Sequence, residues 1–349
     1  MTPLPDFSKL EFGLDTFGDI TRDDTGPRSG AQVIRDTLAE GILADQLGVD
    51  YFGLGEHHRP DFAISSPEPI LGALLGQTGH IRGGTSVTVL SSDDPIRLFQ
   101  RFSTLDAIAP GRAEITIGRG SFTESFPLFG FQLDDYETLF QEKAQFLSHL
   151  IAEEKVSNQG QFTPRLKGVT VYPRPETRLT VWRGVGGSPQ SVVEAAAMGM
   201  PLMLAIIGGD AMRFAPFVDL YRRAHEQMGT SVLPIGVHSP GHVGETDALA
   251  REEYFTGYQA MHRMIGASRG WGTLSREAYE SEIEHGSLYV GSPETVARKI
   301  VRTVRGLGLS RFTLKYSSGP QDYRTNLHNI ELYGTRVIPL VREMLAGKA

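Results

Sequence analysis

The sequence predicts an α/β fold, a single (β/α)8 TIM barrel with insertions at the C-terminal face, on three observations. Eight short apolar segments recur along the 349 residues, a helical pattern follows each of them, and no Pro/Gly/Ser-rich linker divides the chain. Strict strand–helix alternation implies a parallel sheet with right-handed crossovers. Eight such units favour closure into a barrel, and this length suits one barrel domain with insertions.

The apolar segments are Glu11–Phe17, Tyr51–Gly55, Gly84–Leu90, Ala113–Ile117, Leu179–Val185, Pro201–Ile207, Val232–Val237 and Arg311–Tyr316. Near-continuous apolar strands of this kind are those buried on both faces. Helical patterns cover Ala31–Leu47, Ile96–Ile108, Asp134–Leu150, Pro189–Met198, Asp210–Met228, Pro293–Leu307 and Asn326–Leu345. Two stretches exceed what a bare barrel needs: residues 153–178, and residues 239–291, rich in glycine and arginine. Insertions at the C-terminal face cover barrel active sites, so 239–291 is the expected lid. Tyr172 and Trp271 in these stretches suit either an apolar pocket or simple packing of the insertion.

Composition narrows the partners. A net charge of −7 argues against nucleic acid or an anionic membrane. The absence of cysteine excludes disulfides, thiolate metal sites and cysteine nucleophiles, and fits a reducing cytoplasm. Met1-Thr2-Pro3-Leu4-Pro5-Asp6 has no basic or apolar signal region, and the longest apolar run, Pro201–Ile207, is too short to span a membrane. A cytoplasmic protein is the expectation.

In a barrel the strand C-termini build the site. Here they read Asp15-Thr16, Glu56-His57-His58, Ser91-Ser92, Arg119-Gly120-Ser121, Gly186-Gly187-Ser188, Gly208-Gly209, His238-Ser239 and Ser317-Ser318-Gly319. This set suits an anionic, largely planar ligand better than a metal. Gly186-Gly187-Ser188-Pro189-Gln190-Ser191 follows a strand and opens a helix, with Ser188 as N-cap and Pro189 at the first helical position. Free N–H groups and the positive dipole end there favour phosphate; the same residues also suit an ordinary capped helix. Ser317-Ser318-Gly319-Pro320 is a second anion candidate. Arg119, flanked by Gly118 and Gly120, is either a phosphate clamp or a surface arginine in a turn. Of the adjacent histidines, at most one faces the barrel axis; His57 is the choice, as general base or hydrogen-bond donor.

Other matches fail. His238 and His242 have zinc-like spacing, but Ser239-Pro240-Gly241 forbids the helix such a site needs. Asp94 with Pro95, and Ser292 with Pro293, read as plain helix starts. Neither a Rossmann glycine fingerprint nor a Walker A sequence is present.

Taken in order, several segments resemble luciferase-like flavin-dependent monooxygenases. They are Phe12-Gly13-Leu14-Asp15, Gly48-Val49-Asp50-Tyr51 with Glu56-His57-His58, and Val87-Thr88-Val89-Leu90-Ser91-Ser92-Asp93-Asp94-Pro95. Pro110-Gly111-Arg112 with Gly118-Arg119-Gly120 continues the series, as does the strand–Gly-Gly-Ser–helix unit ending Gly199-Met200-Pro201. Tyr289-Val290-Gly291-Ser292-Pro293-Glu294 is a weaker echo.

The resemblance implies FMN at the C-terminal mouth, its phosphate at Arg119, Gly187, Ser188 and Ser191, with Gly120 and Gly186 among the cofactor-binding residues. It implies His57 at the flavin and oxygen site, and a cis peptide at Ser86-Val87 against the flavin ring. It further implies a homodimer through Pro67–Thr78 and Ile96–Ile108. Light-emitting members carry a cysteine where this chain has Gly118, a departure that counts against light emission and long-chain aldehyde specificity but not against flavin binding. The expected reaction is oxygenation of a small organic substrate by O2, with reduced FMN from a separate flavin reductase. Alternatives are deazaflavin-dependent hydride transfer, a non-catalytic flavin-binding protein, and a metal-dependent hydrolase using Glu56, His57, His58 and His238.

Overall fold

A computed structural model describes residues 5–120, 122–267, 270 and 272–347. Eight strands pair in parallel in chain order: β1 (Glu11–Thr16), β2 (Tyr51–Leu54), β3 (Arg82–Thr85), β4 (Ala113–Gly118), β5 (Thr180–Val185), β6 (Leu202–Ala205), β7 (Ile235–Val243) and β8 (Arg311–Lys315). β8 returns to β1, with Glu11 opposite Arg311 and Asp15 opposite Lys315, so the sheet is a closed (β/α)8 barrel. Around it run α1 (Gly30–Gln46), α2 (Pro67–Leu75), α3 (Pro95–Ile108), α4 (Ser125–Phe129), α5 (Tyr136–Ala152), α6 (Pro189–Ala197) and α7 (Ala215–Met228). Then follow α8 (Asp247–Gly266), α9 (Arg276–Glu284), α10 (Pro293–Leu307), α11 (Tyr323–Leu332) and α12 (Ile338–Leu345). Among the described residues no helix is long and apolar enough to cross a membrane.

The strands are buried on both faces, but not apolar on both. In β1 and β8, Phe12, Leu14, Phe312 and Leu314 join the hydrophobic core. Their alternates point inward, as cross-barrel bonds prove: Arg311 on β8 reaches Glu114 on β4 at 2.7 Å, although these strands are not neighbours. The barrel interior is therefore polar, and the apolar core lies between strands and helices.

Three expected boundaries move. The third strand stops at Thr85; Thr88–Val89 pairs separately with β4. The seventh strand runs on to Val243, because Gly241–Val243 pair with the short strand Tyr289–Gly291 outside the barrel. The stretch 239–291 thus begins inside a strand and contains two helices. Residues 153–178 join the end of α5 to the start of β5, which places them at the N-terminal face. There Val156–Asn158 and Leu166–Val169 form a small antiparallel ribbon, and Thr177 donates to Asp106 near the end of α3 at 2.8 and 2.6 Å. Tyr172 is exposed on that side, not in a pocket at the mouth.

Candidate active site

The C-terminal ends of the strands enclose a cavity of about 430 Å³, within the range of small-molecule sites. His57, Ser86, Val87, Arg119, Gly120, Gly186 and Ser191 all line it. Gly187 and Ser188 do not; Gly187 makes the turn at φ +142° and Ser188 caps α6, accepting from Ser191 N at 3.3 Å. Pro189 occupies the first turn, so the helix starts as its sequence dictates.

At the β4–β5 side three features favour an anion. The N-terminus of α6 opens beside Gly186, where an added Cβ would meet nothing within 4 Å. Arg119 lines the cavity and pairs with the exposed Glu137. Behind Ser191, on the helix side of β5 and outside the cavity lining, lies Arg183, 1% exposed, its Nη2 3.3 Å from Ser191 Oγ and 3.6 Å from Glu194 Oε2, its guanidinium over the Phe140 ring. Arg183 Nη1 is buried without a partner, and burial pulls the guanidinium down to about 10. An unmet buried donor is costly, and a phosphate at the helix terminus fits this set. Arg183 escapes a sequence reading: its strand is otherwise apolar, and a strand position does not disclose which helix end lies above it.

One wall is the Ser86–Val87 segment, whose peptide bond is cis. Small residues make room for it. A Cβ on Gly53 would lie 2.4 Å from Ser86 Oγ, and one on Gly118 would lie 2.7 Å from Val87 Cγ2. Glycine at 118 is thus a steric requirement of this wall.

The two histidines after β2 have different surroundings. His57 faces the cavity, packed edge-on against Phe17 and Phe122 with ring centroids 4.8 Å away. Its Nδ1 is 3.7 Å from Glu124. His58 bonds Glu56 at 2.9 Å, and this bond raises its pKa. On the β7–β1 side, His238 Nδ1 meets Asp15 Oδ2 at 2.5 Å, and Lys315 Nζ meets Asp19 at 3.0 Å. Each histidine has its own carboxylate, so Glu56, His57, His58 and His238 do not converge on a metal. The second anion candidate is already filled from within: Gly319 N and Ser317 Oγ donate to Asp19 at 2.7 and 2.8 Å, and Ser318 N donates to Gln321.

From residues 239–291, α8 brings Tyr258, Met261 and Ile265 to the cavity. Tyr254 on the same helix bonds Ser318 Oγ at 2.7 Å, and Gly257 packs so closely that an added Cβ would lie 2.8 Å from Ser318 O. The lid expectation thus resolves into one helix docked on the loop after β8. Ser121 and Trp271 lie outside the described residues.

A family model described as luciferase-like monooxygenase matches residues 14–311. The chain belongs to the luciferase-like monooxygenase family. Membership makes it an oxidoreductase of a family that uses reduced flavin. Among curated relatives, an N-acetyl-S-alkylcysteine monooxygenase of Bacillus subtilis is 24% identical over 295 residues, 78% of this chain and 84% of that one. A monooxygenase from Streptomyces bottropensis shares the fold at TM-score 0.84 and 22% identity, covering 95% of this chain and 99% of its own. The oxygenating constituent of 3,6-diketocamphane monooxygenase from Pseudomonas putida, solved with FMN, follows at 0.75 and 18%, covering 95% and 98%. An F420-dependent secondary alcohol dehydrogenase reaches 0.74 and 17%, covering 95% and 99%.

Proposed function

We propose that this luciferase-like enzyme is an FMN-dependent monooxygenase. It takes reduced FMN from a separate reductase and oxygenates a small organic substrate with O2. The observation that carries the reading is a single cavity with an anion cradle at one side and His57 in an aromatic wall at another. The related Pseudomonas putida structure holding FMN supports the choice of cofactor.

Bound FMN would supply the electrons that activate oxygen. Arg119, Arg183, Ser191 and the backbone N–H groups at Gly186-Gly187-Ser188 would hold its phosphate. Ser86 and Val87 would present a firm wall to its ring. His57, steadied by Glu124, would hold or release a proton at its free nitrogen. Phe122 and α8 would keep water out of the cavity. Homodimerisation through α2 and α3 belongs to the same reading, and sedimentation velocity checks it.

Anaerobic titration with reduced FMN, followed by admission of oxygen, tests the proposal. Saturable binding and oxygen uptake are expected; no flavin binding overturns it. The F420-dependent neighbour favours a second reading, hydride transfer with a deazaflavin. Hydride transfer to substrate without oxygen consumption would decide for that one.

A further inference from the structure

On the β7–β1 side of the mouth, opposite Arg119 and Gly186, Asp15 and His238 meet across the barrel. Their strands are not neighbours, since β8 lies between them, so the contact exists only because the barrel closes. Asp15 is fully buried and holds His238 Nδ1 at 2.5 Å. Among the described residues this is the ring's one hydrogen bond. A carboxylate on Nδ1 fixes the proton of the neutral ring there and leaves the Nε2 lone pair free. His238 lines the cavity.

The surroundings limit what this nitrogen meets. Phe17 lies nearly parallel to the imidazole, 12° apart at 6.2 Å, and Met261 and Ile265 of α8 line the same cavity. Together they give this side of the cavity a largely apolar lining. Other charged and titratable groups share this region, among them Tyr51 and Tyr333, which lie close enough to Asp15 to feel its charge. Lys315 lies over the Phe17 ring and is matched by Asp19. Tyr258 and His262 line the cavity from α8, and His57 with Glu124 stands on the other side of Phe17.

We propose that Asp15 and His238 form a second proton-handling pair, which takes the proton of an acidic hydroxyl, phenol or enol, on a planar apolar substrate. The O–H bond breaks, the proton moves to His238 Nε2, and the electron pair stays on the substrate oxygen. Asp15 keeps its hydrogen bond to Nδ1 and holds the imidazolium, as the carboxylate of a hydrolase triad does. In this scheme His238 is the catalytic residue and Asp15 the positioning one. An electron-rich phenolate or enolate is the form an oxygenating flavin attacks. That last link rests on the FMN reading; the proton transfer does not.

The test uses 4-nitrophenol, whose ionisation is visible by absorbance, titrated into the full-length chain without flavin across neutral pH. The wild type should raise the bound phenolate-to-phenol ratio by about tenfold over free probe at the same pH. His238→Gln and Asp15→Asn should return the ratio to that of free probe, while surface His328→Gln retains the raised ratio. Because Asp15 is fully buried, thermal unfolding is followed for both variants. Should Asp15→Asn fail to fold, His238→Gln alone decides. No binding of the probe, no raised ratio, or a raised ratio that survives His238→Gln overturns the pair. FMN binding is measured separately on the same samples. Its loss with the probe result intact would sink the flavin reading alone.

Discussion

The two ends of the barrel interior are built from similar side chains and finished in opposite ways. At the N-terminal end Arg311, 1% exposed, is held by Glu114 and Glu11 and lies 4.5 Å from the rings of both Tyr51 and Trp182. Trp182 Nε1 also donates to Glu114, and Arg82 closes the set. At the mouth, Asp15 Oδ1 is buried without a partner and His238 opens onto a cavity, while on the helix side of β5 Arg183 pairs with Glu194 through Nη2 and keeps Nη1 unpartnered. Buried charge that is fully paired leaves nothing for a ligand to satisfy, and removing one partner is costly. Buried polar atoms left unpaired are where the proposed ligand would find partners.

Breaking the closed end should have the largest effect. Glu114→Ala strands the Arg311 guanidinium in the interior, at a cost of about 3–5 kcal/mol, read from denaturant midpoints. Flavin affinity of the folded fraction should be unchanged. A variant as stable as wild type would end the comparison. Burial pushes the Glu114 carboxyl up, but Arg311 beside it wins and holds it below the usual range. Its contribution is therefore present above the unfolded-state value and is lost as pH falls through the folded one.

Glu40 behaves in the opposite sense. Buried between α1 and β8, it accepts from Tyr316 at 2.6 Å, and burial raises it from 4.5 to about 7. Between those values the folded chain keeps a proton that the unfolded chain has released. Stability from this group is full below the unfolded value and lost as pH rises to the folded one, by up to about 3 kcal/mol. Glu40→Gln should flatten that slope in thermal unfolding; an unchanged slope would assign it elsewhere.

The closed end and the open end were unequally legible from sequence. The eight strands announced themselves because one face of each packs helices and carries apolar residues such as Phe12, Leu14, Phe312 and Leu314. The caps at Ser188 and Asp94 were legible because capping is local: Asp94 Oδ1 accepts from Ile96 N and Arg97 N. The charged interior was not. Arg311 and Glu114 are 197 residues apart, Asp15 and His238 are 223 apart, and only closure joins them. The polar residues at inward positions of β1 and β8 were the available signal. The stretch 153–178 was long enough to draw attention, but its side of the barrel follows from direction: helix to strand leads to the N-terminal face.

At the open end, Arg119→Ala should weaken FMN by about 1.5–3 kcal/mol, the worth of a hydrogen bond to a charged group. Arg183→Met should cost FMN a smaller but measurable amount, since Met refills the space over Phe140 without the charge. Riboflavin, which lacks the phosphate, separates the causes. Both variants should bind riboflavin as wild type does, by fluorescence titration. Equal losses for FMN and riboflavin would move the anion site away from β4 and β5.

The smallest effect gives the sharpest comparison, because the same sequence device occurs twice. Ser188-Pro189 starts α6 and Ser292-Pro293 starts α10, and each serine caps its helix, accepting from Ser191 N at 3.3 Å and from Thr295 N at 3.4 Å. Only α6 opens toward the cavity. At Ser292 a protein carboxylate already occupies the helix start: Asp247 accepts from Ser292 N at 2.7 Å and from Thr295 Oγ1 at 3.0 Å. Replacing either serine by alanine should cost stability by about 1 kcal/mol. Ser188→Ala should in addition weaken FMN several-fold, because the first turn of α6 frays where the phosphate would lie. Ser292→Ala should leave FMN untouched. Equal flavin affinities in the two variants would reduce Gly186-Gly187-Ser188 to an ordinary helix start, with Arg119 and Arg183 left to hold the anion alone.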